Sequence, residues 1–163
     1  MVPIILCLLI LPSNTLKQPS SEGYLIMTKQ RTVYLAGSME MVSLEEAQGW
    51  RTIAERRLNF SGVETLNPCR RLHNFEKRYM KRIFELDLRD IQESDIVLVN
   101  LDNPTVAKHG TAMEVFYASY VLRKPVVAFK ADASIIHPFF ESLVTEWRSD
   151  VDKACDTILC EYL

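Results

Sequence analysis

The apolar positions of this chain fall into short unbroken runs separated by longer amphipathic stretches. Residues 32–36 (TVYLA), 63–66 and 126–129, and the run Asp95-Ile96-Val97-Leu98-Val99-Asn100, are the short runs. Their length and β-branched content predict strands buried on both faces, at 32–36, 63–66, 96–100 and 126–129. Ser43 with Glu46 three residues on is a capping-box pattern. It opens a helix to about Asn59, with Ala47, Trp50, Ile53, Ala54 and Leu58 as its apolar stripe. The second strand stops at Asn67-Pro68, and a basic loop, 69–73, leads to a long helix over about 74–93. The loop 101–108 carries the turn signal Asn103-Pro104. A third helix spans roughly 111–122. Residues 132–137 read as loop, 143–147 as a short fifth strand, and about 150–161 as a last helix. Strands alternating with helices predict an α/β fold: three α-β-α layers around a parallel sheet of about five strands.

Composition narrows this picture without redirecting it. At 163 residues and a net charge of -2, one domain with one sizeable core is expected. The mild acidity and the lack of a basic stripe argue against nucleic-acid polymers as partners. Cys7, Cys69, Cys155 and Cys160 form no CxxC pair, and His73, His109 and His137 have no zinc spacing. No metal or cofactor is therefore expected, and free thiols fit a reducing, cytoplasmic setting. Residues 2–11 are almost wholly apolar but too short to span a bilayer comfortably. No Lys or Arg precedes them and no clear A-x-A site follows, so a secretion signal at 1–25 is the weaker reading. The expectation is a non-core N-terminal extension over 1–29, from a leader or an upstream start, followed by the domain at 30–163.

Three polar side chains stand out against this frame. On a helical wheel of 74–93, Met80, Ile83, Phe84, Leu88 and Ile91 share one broad arc, and Asp87 falls inside it. A carboxylate on a core-facing arc requires a partner. It either bonds backbone or a nearby Arg, or faces a polar pocket where its pKa is tuned for proton transfer. Glu114 follows Thr111 in a T-x-x-E pattern that fits a capping box in the first turn of the third helix. Held ionised by the helix dipole at a strand's carboxyl edge, it also suits a nucleophile for retaining glycosyl transfer. Tyr34 lies on the first strand ahead of the tight turn at Gly37-Ser38. In a 2-1-3-4-5 sheet its hydroxyl reaches the same edge; otherwise its ring packs beneath a helix with a wet tip. The third helix is apolar nearly all round, which predicts a second buried face against another copy of the chain.

Tyr34-Leu35-Ala36-Gly37-Ser38, then Asp87-Leu88 ahead of Ser94-Asp95-Ile96-Val97-Leu98-Val99, then Gly110-Thr111-Ala112-Met113-Glu114 resembles the nucleoside 2-deoxyribosyltransferase family. Its superfamily also holds 2'-deoxynucleoside 5'-monophosphate N-glycosidases. The resemblance spans about 31–129. It implies a flavodoxin-like (Rossmann-like) fold, a homo-oligomer with shared active sites, and a role in nucleotide salvage on a deoxynucleoside or deoxynucleotide plus a free nucleobase. It further implies that Glu114 attacks C1' to form a covalent deoxyribosyl intermediate. Asp87 then binds or protonates the departing base, and Tyr34 positions Glu114 and the sugar. Gly37, Ser38, Met39 and Gly110 line the sugar pocket, with Trp50, Asn100, Lys108, His109 and Met113 as further substrate contacts. Two departures stand against the pattern. Lys108 occupies the place, six residues before the nucleophile, where many family transferases carry Asp. Met39-Glu40 replaces the glycine-rich phosphate turn of the glycosidases. Glu40 repels a phosphate there, while Lys108, His109, Arg70 and Arg71 are positive charges available elsewhere. Transferase or hydrolase, and nucleoside or monophosphate, stay open at this level, as does a nucleotide-binding module without turnover.

Overall fold

Five short parallel strands order as β2-β1-β3-β4-β5 in the computed structural model of the protein, which describes residues 29–40, 42–74, 79–102, 108–131 and 136–163. The strands are β1 (Thr32–Gly37), β2 (Glu64–Leu66), β3 (Ile96–Asn100), β4 (Val126–Phe129) and β5 (Glu146–Arg148). The expected extension lies outside the described residues except for Lys29. So do the Asn103-Pro104 turn, most of the 132–137 loop, and residues 75–78, which the long helix was expected to include. Each strand from β1 to β4 sits within a residue or so of its expected place. The fifth begins three residues later and ends one later than expected, because α4 (Pro138–Leu143) occupies the ground before it.

Alternation along the strands builds two apolar layers. Val33 and Leu35 of β1, Ile96 and Leu98 of β3, and Val127 and Phe129 of β4 pack against α1 (Leu44–Phe60) and α5 (Val151–Glu161). Tyr34, Ala36, Val97, Val99, Val126 and Ala128 face the other way. They meet α2 (Met80–Glu93), α3 (His109–Phe116) and the π-helical turn Tyr117–Val121 that extends it. The three-layer α-β-α fold expected from the sequence is thus the fold of this chain. Among the described residues no helix is long and apolar enough to cross a membrane.

Several helix ends are set by local chemistry. The Ser43 hydroxyl accepts from the Glu46 N–H at 3.1 Å, as the capping-box pattern predicts. Asp150 caps α5 by accepting from the Lys153 N–H at 2.8 Å. Between β2 and α2 the expected loop is instead a 3-10 turn, Pro68–Asn74. The far end of α2 is held by the Lys124 ammonium, which donates to the carbonyls of Ile91, Gln92 and Ser94. A cation on the last carbonyls of a helix satisfies acceptors that have no partner within the helix.

Candidate active site

Gly37 ends β1 beside Asn100, the last residue of β3. From this pair the chain leaves to opposite faces of the sheet, into α1 after β1 and towards α3 after β3. Such a switch point opens a crevice beyond the carboxyl ends of the strands. A cavity of about 510 Å³ lies here. Its floor is the β1–α1 turn: Gly37, Ser38, Met39 and Glu40. One wall is the early part of α2, with Met80, Ile83, Phe84, Asp87 and Leu88. The other is the entry to α3: Lys108, His109, Gly110, Thr111, Met113 and Glu114.

Of the three singled-out side chains, Asp87 and Glu114 line this cavity, and Tyr34 lies behind its wall, joined to it through Glu114. Tyr34 is fully buried on the α2/α3 side of β1, and its hydroxyl donates to Glu114 Oε1 at 2.7 Å. Glu114 is half-buried on the cavity wall, with protein packed densely round its carboxyl. That burial pushes its pKa up to about 7. The Tyr34 hydrogen bond pulls it down, the Asp87 charge pushes it up, and the Arg51 charge pulls it down again. Burial, then the neighbouring Glu114 charge, hold the Tyr34 phenol well above its ordinary value, so it stays a neutral donor.

Asp87 lies 8% exposed on α2. Its Oδ1 accepts from Arg71 Nη1 of the 3-10 turn at 2.7 Å. The same guanidinium reaches Asp90, which Arg70 also approaches at 3.2 Å. Burial raises the Asp87 pKa to about 6 against the pull of Arg71, with Asp90 adding to the rise. Asp87 therefore has an Arg partner and also lines the cavity. Arg70 and Arg71, read from the sequence as charge available to a ligand, are engaged by Asp90 and Asp87.

Glu114 does not cap its helix. The helix begins at His109, two residues earlier than expected, and its first turn carries no acidic residue. Lys108 is the capping position and makes no side-chain cap bond. Glu114 thus sits in the second turn, beyond the reach of the helix-end dipole. Burial and its neighbours, rather than that dipole, set its ionisation.

Gly37, Ser38, Met39, Lys108, His109, Gly110 and Met113 all line the cavity, whereas Trp50 and Asn100 do not. Those two back the turn from behind. A Cβ on Gly37 would lie 3.0 Å from Trp50 Cζ2 and 3.3 Å from Asn100 Cβ. The Trp50 ring is fixed edge-on to Phe129 at 5.4 Å, and Asn100 Oδ1 accepts from the Asp102 N–H at 2.8 Å. Glycine at 37 is what allows this close approach.

The sequence reading missed two features of the site. The arc containing Met80, Ile83, Phe84 and Leu88 was read as core-facing. All the buried residues of α2 (Asp87, Asp90 and Ile91) fall in its second half, and those four apolar side chains form the cavity wall instead. Arg51 was not singled out, yet it is fully buried on α1. Its position was a usable signal: four residues after Ala47 and three before Ala54, it belongs to the inward stripe of α1. Ile53, placed on that stripe, is 44% exposed.

The family model for nucleoside 2-deoxyribosyltransferase matches residues 33–154, well over half of the sequence. The chain belongs to the nucleoside 2-deoxyribosyltransferase family. A sequence comparison with curated proteins finds no match. Among solved structures, it is similar to a 2-deoxyribosyltransferase from the psychrotolerant bacterium Bacillus psychrosaccharolyticus. The two share 23% identity and a TM-score of 0.63, over 77% of this chain and 90% of that one. It is also similar to a conserved protein from Enterococcus faecalis V583, at 17% identity and a TM-score of 0.65, over 80% of this chain and 98% of that one. At these identities the likeness is one of fold.

Proposed function

We propose that this chain is a nucleoside 2-deoxyribosyltransferase that moves a 2'-deoxyribosyl group from one nucleobase to another through a covalent intermediate on Glu114. The observation that carries the reading is the 2.7 Å hydrogen bond from the Tyr34 hydroxyl to Glu114, on the wall of a cavity that Asp87 also lines. A carboxylate steadied on one oxygen keeps the other for attack on C1'. Attack breaks the N-glycosidic bond, and the bonding pair leaves with the base. Asp87 holds the departing base and supplies its proton. An incoming base then attacks C1' from the opposite side and restores the Glu114 carboxylate. The apolar wall of Met80, Ile83, Phe84 and Leu88 suits the flat face of a nucleobase.

Nucleosides are favoured over 5'-monophosphates for a specific reason. Glu40 lines the cavity, while Arg70 and Arg71 are bound to Asp90 and Asp87. The test offers deoxynucleosides and their monophosphates in parallel, with and without a free base, and identifies the products. Base exchange from the nucleoside is the expected result. Release of base from the monophosphate alone would make the protein a hydrolase of the related class. Binding with no product from any donor would make it a nucleotide-binding module.

The working state has Glu114 ionised and Asp87 protonated, so one proton is shared by the pair. With apparent values of about 6 and about 7, kcat/KM is expected to be bell-shaped, peaking between them and falling on both sides. A profile flat from pH 5 to pH 8 would contradict that proton inventory.

The same reading includes a homo-oligomer. Met113, Phe116, Tyr120 and Val121 are each about half exposed on α3 and its π-helical turn, and Met113 also lines the cavity. An assembly on this face would bring partner residues to the cavity mouth. Light scattering at micromolar concentration is expected to return at least a dimer; a monomer would remove this part of the proposal.

A further inference from the structure

The most unusual buried group lies behind the cavity. Arg51 is fully buried on α1, and its guanidinium donates only to backbone carbonyls: Leu35 at 3.2 Å, Gly37 at 2.8 Å, and Ala47. Its charge centre stands 4.5 Å from the centroid of the Trp50 ring. Among the described residues no carboxylate forms an ion pair with it. A buried cation without an anionic contact is expensive to keep. Its placement shows what it does for the backbone. The ladder between β1 and β2 ends at Tyr34–Leu66, while β1 continues to Gly37. Carbonyls two residues apart point to the same side of a strand. Arg51 therefore stands where β2 would have continued, and satisfies Leu35 and Gly37 in its place. The sheet thereby keeps β1 extended to the turn that forms the cavity floor, with no neighbouring strand to close the crevice.

We infer that Arg51 is a positioning residue of the active site, one that braces the β1 end at Gly37 and supplies the fixed positive charge behind the Tyr34–Glu114 pair. The inference rests on reading Glu114 as the nucleophile and adds a residue that never touches substrate. The groups around Glu114 are few. Tyr34 comes from β1 and Asp87, already paired with Arg71, from α2. Glu40 comes from the cavity floor, Lys108 and His109 from the entry to α3, and Arg51 from α1. The neutral phenol and the Asp87 carboxyl cannot favour the Glu114 anion by charge, whereas Arg51 does. Burial dominates the raised Glu114 pKa, and Arg51 is among the groups that pull it back. Arg51 is itself lowered by burial and raised by Glu114 among others, so the two charges support one another.

The experiment follows Glu114 directly, by carboxyl-carbon NMR of glutamate-labelled protein, with Glu114→Gln identifying the resonance. In folded Arg51→Met the Glu114 midpoint is expected to rise by about one pH unit, with the kcat/KM profile moving to higher pH. A midpoint equal to wild type overturns the inference. If Arg51→Met does not fold, Arg51→Lys decides. It keeps the charge but loses the fork, so an unmoved midpoint with an about tenfold lower kcat/KM supports the brace. Wild-type kcat/KM in Arg51→Lys overturns it, as does failure of both variants to fold, which would leave a structural role alone. The NMR midpoint needs no turnover. An inactive wild type whose midpoint still moves in Arg51→Met would sink the Glu114 reaction and leave the electrostatic link standing.

Discussion

Glu114→Gln is expected to reduce base exchange by about 10,000-fold or more, because a neutral amide cannot form the glycosyl ester. Intact-mass analysis with a donor and no acceptor should show a deoxyribosyl adduct on the wild type and none on the variant. The fold should persist, since the Gln carbonyl can still accept from Tyr34. Stability supplies a second readout. The Glu114 carboxyl ionises near 4.5 in an unfolded chain but at about 7 in the folded one. Between those values the folded state retains a proton that the unfolded chain has released. Glu114 therefore contributes stability below about pH 4.5 that is lost as pH rises through about 7. Gln titrates nowhere, so the variant should gain on the wild type across that window, by on the order of 3 kcal/mol at its upper end. Urea unfolding at pH 4.5 and pH 8 measures the difference. A Gln variant that turns over normally, or that is markedly the less stable protein at pH 8, would make Glu114 a structural residue.

Asp87→Asn is expected to lower kcat/KM by about 100- to 1,000-fold through loss of the proton given to the leaving base. Its diagnostic effect is on the shape of the pH profile. With one titrating group of the pair removed, the alkaline limb should vanish. The remaining acid limb should move below about 7, because the Asp87 charge helps to raise Glu114. Donors whose bases leave readily without protonation should be affected least. If the variant keeps the bell and most of the activity, Asp87 serves only as the partner of Arg71.

How far the site was legible in the sequence differs residue by residue. Tyr34 was placed at this edge on the condition of a 2-1-3-4-5 sheet, and the strands take that order, which puts its hydroxyl beside Glu114. Glu114 was placed at the cavity, where it lies, but for a partly mistaken reason. T-x-x-E is a local pattern, and where a helix starts depends on what precedes it, here Lys108 and His109. The α2 arc was correct as geometry, but a wheel assigns a face and not what that face meets. Arg51 was passed over because buried arginine contradicts the compositional rule for helix faces. Only the two carbonyls left open where β2 ends explain why it is there.

By itself, the sequence determined the parallel sheet, its flanking helices and the order in which they come. Short β-branched runs and amphipathic stretches are read over neighbouring residues, and in a sheet buried on both faces they leave little choice. Tertiary structure alone decided which polar groups meet. Tyr34 and Glu114 are 80 positions apart and bond only because β1 ends under α3. Arg71 comes to Asp87 from a turn that reads as loop. The ionisation of Glu114 is a sum over burial, one hydrogen bond and two charges, supplied from three different elements. That sum is taken through space, and no stretch of the sequence contains it.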